Sequence, residues 1–184
     1  MTIPANLIFI QSDNHNRQVT GCYGHAIVKT PTLDKLAARG VRFANSYSTS
    51  ALCCPARAAM ATGRYAHETG YWDNAIAYDA RVPSWMLRLR EQGHAVVGIG
   101  KLHYRGSDDA NGFSEEIIPM HLHEGQGAIK NLLRGYDAEP PLTDDSKWKL
   151  YTLRSGAGET HYQEYDRQIT AKAIAWLRAN DTPH

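Results

Sequence analysis

Short unbroken apolar runs alternate along this chain with stretches whose apolar residues recur at helical spacing. Leu7-Ile8-Phe9-Ile10 is a continuous apolar run, the pattern of a parallel strand buried on both faces. It ends in the polar cluster Gln11-Ser12-Asp13-Asn14-His15-Asn16. Thr30-Pro31-Thr32 opens a predicted helix through Leu33, Leu36 and Ala37, stopped by Gly40. Residues 41–47 are expected as a short strand with Val41 and Phe43 on its apolar side. Helices are predicted over about 55–62 and over 85–92, the latter broken at Gly93. Ala95-Val96-Val97-Gly98-Ile99 is a second buried-strand pattern. Residues 107–155, rich in Gly, Pro and Asp, are expected as long loops with little regular structure. Tyr162, Tyr165, Ile169, Ala173, Trp176 and Leu177 then repeat at helical spacing and predict a last helix, its aromatic residues turned to the core. Strands alternating with helices imply an α/β domain with a mostly parallel sheet flanked by helices.

Composition narrows this picture. With 184 residues and 42% hydrophobic content, one sizeable core and a single domain over 1–184 are expected. Twenty basic residues nearly cancel 19 acidic ones, so no basic stripe argues for nucleic acid. No apolar run approaches membrane-spanning length, and the first residues lack the basic flank of a signal peptide. The three cysteines, Cys22, Cys53 and Cys54, cannot all pair. A reducing, cytoplasmic location is the expectation.

The candidate chemistry starts at Cys53-Cys54-Pro55-Ala56-Arg57, continued to Thr62-Gly63. Proline has no N–H and a fixed φ, so it is expected to open the helix, with Cys53 on an extended approach to the N-terminus. Unpaired N–H groups and the positive dipole end would then face whatever Cys53 holds, an arrangement suited to an oxyanion. Arg57 can bend its planar fork to the same point, and Gly63 is a fitting C-cap. The bland alternative is a pair of buried thiols ahead of an ordinary helix. Cys-to-Arg spacing is too short for a tyrosine-phosphatase loop. Gly100-Lys101-Leu102 fails as a phosphate-binding P-loop, because Ala95 and Leu102 occupy the glycine and Ser/Thr positions.

Other polar groups sit at predicted strand ends, where ligands of parallel sheets bind. Asp13 and Asn14 offer hard oxygen atoms, or alternatively an Asx-turn. Lys101 and His103 alternate to one side of an extended segment. His121 and His123 have a weak chelating spacing; His15, Arg17, His25 and His67 are expected at the surface. Tyr71-Trp72-Asp73-Asn74 is a candidate wall of the substrate mouth.

Cys53-x-Pro55-x-Arg57-x4-Thr62-Gly63 resembles the signature of the sulfatases, within the alkaline-phosphatase superfamily. Gly100-Lys101-Leu102-His103 and the 31–43 segment are also similar to that family. The resemblance implies an alkaline-phosphatase-like fold and hydrolysis of a small-molecule sulfate ester. It further implies that a formylglycine-generating system oxidises Cys53 to formylglycine. A hydroxyl of the aldehyde hydrate would attack sulfur and expel the alcohol, and sulfate would then be eliminated. Asp13, Asn14 and the modified Cys53 would ligate a divalent cation, Ca2+ foremost, with Mg2+ or Mn2+ as alternatives. Arg57 and Lys101 would hold sulfate oxygens, and His103 would manage the nucleophile's proton. Relatives on this scaffold also cleave phosphonate or phosphate monoesters, and a non-catalytic fragment with unmodified Cys53 is the contrasting reading. Family members supply further metal ligands from downstream segments, so the chain is expected to be the N-terminal part of a longer enzyme, its sheet incomplete toward the C-terminus.

Overall fold

The computed structural model describes residues 6–125, 127 and 156–180. The chain divides into two compact units, one built on Met1–Tyr47 and one on Ser48–Asp181.

In the first unit, α1 spans Pro31–Arg39, with proline in its first turn and the Gly40 N–H closing on the Leu36 carbonyl at 2.9 Å. Thr30 Oγ1 accepts from the Gly21 N–H and donates to Asp34, tying the helix start to a preceding 3-10 turn over Gly21–Tyr23. The two expected strands are absent here. Residues 7–10 form no strand among the described residues and are 60% to 85% exposed. A strand is held by a backbone ladder, and among the described residues nothing supplies one to this run. Residues 41–47 also form no strand, with Val41 79% and Phe43 67% exposed. Their carbonyls are engaged by side chains instead: the Tyr23 hydroxyl donates to Phe43 O at 2.8 Å, and Arg17 donates to Ala44 O.

The second unit holds the core. Its helices are α2 (Cys53–Thr62), α3 (Ala66–Thr69), α4 (Trp85–Glu91) and α5 (His161–Ala179). α2 begins two residues earlier than expected, at Cys53. Pro55 thus stands third in the helix, where a missing N–H costs nothing, because the first intrahelical bond runs from Ala56 N–H to Leu52 O at 3.1 Å. Gly63, at φ 68°, closes the helix as a left-handed cap. Alanines 58, 59 and 61 keep the buried face of α2 thin. Tyr71, Tyr78, Met86, Val96 and Tyr104 pack against it, the Tyr78 and Tyr104 rings edge to face at 4.9 Å. Tyr71, expected at a substrate mouth, is fully buried.

The described sheet has two parallel strands, β1 (Val97–Lys101) and β2 (Glu115–Met120), in register Val97 to Glu115 and Ile99 to Ile117. β1 ends two residues later than its apolar run predicts. β2 falls within the segment expected to be irregular; 126 and 128–155 of that segment lie outside the described residues. α5 opens with a capping box between Thr160 and Gln163 and docks on the strands, with the Tyr165 hydroxyl on Ile118 O at 2.7 Å. Tyr165, Ile169, Ala173 and Trp176 form its half-buried stripe, but none is fully buried and Tyr162 is exposed. Gly100 at φ 90° allows this approach: a Cβ there would come within 2.7 Å of the Ile169 Cδ1. No helix among the described residues is long and apolar enough to cross a membrane.

Candidate active site

Four of the six candidate residues meet in the second unit, where the start of α2 faces the end of β1. Cys53 is the first residue of α2, half-buried, with Cys54 fully buried behind it. The Cys54 backbone N–H, without an acceptor inside the helix, donates to Asn74 Oδ1 at 3.1 Å, and the same oxygen lies 3.6 Å from Cys53 Sγ. Asn74 is 3% exposed and sets the helix start in place. Sequence reasoning placed this residue at the mouth without finding its partner, because a contact over 21 positions leaves no periodic signal.

Arg57 extends from α2 to the strand end, donating from one Nη to Lys101 O at 2.6 Å and to Leu102 O at 3.3 Å. It is almost fully buried. The fork expected over Cys53 makes these two bonds, a clamp that joins helix to strand. Lys101 closes β1 beside a bulge. His103 arrives by a left-handed turn at φ 60°, with its N–H on Met120 O at 2.7 Å, rather than by the alternation of an extended strand. Its Nδ1 stands 3.9 Å from Cys54 Sγ.

These neighbours separate the two thiols. The Cys54 thiol hydrogen-bonds to the Cys53 sulfur and, with positive charge from His103 and Lys101 and against the cost of burial, brings Cys53 down to about 4. The same hydrogen bond, reinforced by burial, pushes Cys54 far above the usual thiol range. Ionisation is thus favoured at Cys53 and disfavoured at Cys54.

Asp13 and Asn14 belong to the first unit and are exposed, Asn14 at φ 54°. Among the described residues, histidine, cysteine and carboxylate side chains converge in one group of three, Cys53, Cys54 and His103. His121 and His123 do not converge. His121 Nε2 pairs with Glu116 at 2.8 Å, whereas His123 is 95% exposed. His15 bonds Thr20, the His25 Nδ1 accepts from Val28 N–H, and His67 stacks on Tyr65, all local contacts.

The sulfatase family model matches residues 5–184. The chain belongs to the sulfatase family. It is 35% identical over 119 residues to an N-acetylglucosamine-6-O-sulfatase of Bacteroides thetaiotaomicron, covering 65% of this chain and 21% of that protein. It is 29% identical over 178 residues to arylsulfatase K of Rattus norvegicus, covering 94% of this chain and 28% of the rat protein. Choline-sulfatase of Rhizobium meliloti matches at 34% over 112 residues, 61% of this chain and 22% of that one. A solved structure in complex with its substrate, D-glucosamine-2-N,6-O-disulfate, matches with a TM-score of 0.57 and 35% identity, over 60% of this chain and 22% of that chain. The chain thus spans about a quarter of the length of the curated relatives it matches. The helices and the parallel strand pair form part of the family's alkaline-phosphatase-like α/β fold.

Proposed function

We propose that this sulfatase-family chain carries the nucleophile-bearing part of a sulfate-monoester hydrolase. The observation that carries the reading is the convergence of Cys53, Arg57, Lys101 and His103 on one helix start. The relatives differ in the alcohol their names specify, a sugar, an aryl group or choline, and share the sulfate. The sulfate is accordingly the part of the substrate assigned here.

Each group has a task set by its surroundings. Arg57 places a permanent positive charge under the helix start while holding the strand end, and Lys101 adds an ammonium that binds sulfate oxygens. His103 holds or moves a proton at its imidazole, steadied by its backbone bond to Met120. Asn74 fixes the first turn of α2 and so the direction in which position 53 points. Asp13 and Asn14 carry the oxygen donors that suit a hard divalent cation and would hold part of its shell, whereas the Cys53, Cys54 and His103 donors are too soft for one. A bound Ca2+, or Mg2+ or Mn2+, supplies charge that neutralises a sulfate, and formylglycine at position 53 would supply the attacking hydroxyl.

Intact-mass spectrometry of the peptide containing Cys53, after co-expression with a formylglycine-generating system, should show conversion at that residue. The converted protein should release sulfate from an aryl sulfate faster than it cleaves the matching aryl phosphonate, and Cys53→Ala should abolish release. Faster phosphonate cleavage would assign the site to phosphonate esters. Conversion with no hydrolysis of either ester would overturn the reading for this chain.

A further inference from the structure

We propose that Cys53, Cys54 and His103, while both cysteines are thiols, form a binding site for one thiophilic d10 cation, Zn2+ above all. Two sulfur atoms and an imidazole nitrogen lie within 4.8 Å of one another, and the Cys54 Sγ to His103 Nδ1 edge is 3.9 Å. With Zn–S near 2.3 Å and Zn–N near 2.0 Å, the edges of a tetrahedral site measure about 3.5–3.8 Å. The triangle therefore closes by no more than about one ångström, within the reach of side-chain rotation. Sulfur and imidazole donors select zinc or cuprous ions over calcium and magnesium.

The supporting backbone is already fixed on all sides. Asn74 bonds the Cys54 N–H, Met120 bonds the His103 N–H, and Arg57 clamps the two carbonyls just before His103. Cys53 is half-buried, which leaves an approach for the cation. On binding, both sulfurs act as thiolates, the Cys54 proton passes to solvent, and the two negative charges balance the dication. No disulfide competes for these sulfurs, since all three cysteines are free. The site requires only unmodified thiols. Its consequence, that zinc on Cys53 sulfur would shield it from oxidation to formylglycine, rests on the function proposed above.

Co2+ titration of the full chain, with thiols verified by intact mass, tests the site. One equivalent should produce sulfur-to-cobalt charge-transfer absorption and tetrahedral d–d bands, displaced by Zn2+ and not by excess Ca2+. Cys54→Ser and His103→Gln should each weaken Co2+ binding roughly tenfold or more, and the exposed-residue control His123→Gln should not. Because Cys54 is buried, a second readout uses the unaltered chain: Zn2+ should slow alkylation of Cys53 and Cys54 but not of Cys22. Octahedral Co2+ without a charge-transfer band, or equal protection of Cys22, overturns the site. A thiol form without the band, alongside sulfate release by the converted form, sinks this inference and leaves the function standing. The band without later sulfate release does the reverse.

Discussion

The two units of this chain treat apolar residues in opposite ways. In the second, Tyr71 and Tyr78 are completely buried and Met86 is 2% exposed, all against the alanine face of α2. In the first, Leu7, Ile8, Phe9 and Ile10 form the most uniform apolar run of the chain, yet each is at least 60% exposed. Thr20 is the fully buried residue of that unit among those described. Hydrophobicity alone therefore does not make a core. The tyrosines gain theirs because each hydroxyl finds an acceptor, Asp79 for Tyr71 and the Val82 carbonyl for Tyr78, while their rings fill space left by alanine. A strand must find a ladder before its side chains can be covered.

Substitutions at matched residues sharpen this contrast. The largest effect is expected for Tyr78→Ala, which empties a packed position and should lower stability in urea unfolding by about 3–5 kcal/mol. Next is Gly100→Ala, whose added methyl meets Ile169 at a left-handed φ. It should cost about 1–3 kcal/mol, and a second change, Ile169→Ala, should recover only the part due to overlap. Asn74→Ala leaves the Cys54 N–H buried without its acceptor, for about 1–3 kcal/mol. The same variant should slow thiol alkylation at Cys53 if the helix start shifts. In the folded chain, Cys53 alkylation should stay near its maximal rate as pH falls from about 8 to about 5, since its thiolate persists down to about 4. In the urea-unfolded chain the rate should fall steeply over that range; equal profiles would remove the thiolate assignment. The smallest effect belongs to Phe9→Ser, within about 0.5 kcal/mol. A loss there comparable to Tyr78→Ala would erase the distinction between the units.

Much of the fold was legible because its signals are local. α1 follows from Pro31 and Gly40, α4 from its stop at Gly93, and α5 from a repeating stripe, and the structure adds the Ser84 cap and the Thr160–Gln163 capping box. β1 was visible as an apolar run, though its pairing extends to Lys101. β2 was not, since Glu115, Glu116 and Pro119 break the apolar and alternating patterns and the strand exists by pairing with β1. At the site, the likeness to the sulfatase signature and to its Gly-Lys-x-His segment pointed to Cys53, Arg57, Lys101 and His103. The parts it missed depend on distant backbone: Asn74 meets an N–H in α2, and Arg57 binds carbonyls 44 and 45 positions away. A residue's contact with remote main chain depends on the folded path and not on its neighbours in sequence.

The bond from the His103 amide to Met120 ties the imidazole to the second strand rather than the first. Peeling β2 away would release the left-handed turn and swing the ring off the sulfurs, so fraying of that strand and loss of the imidazole from the site would be a single event. Amide exchange at His103 should then share one opening rate with the paired amides of 115–120, making the strand's lifetime a ceiling on how long the site stays assembled.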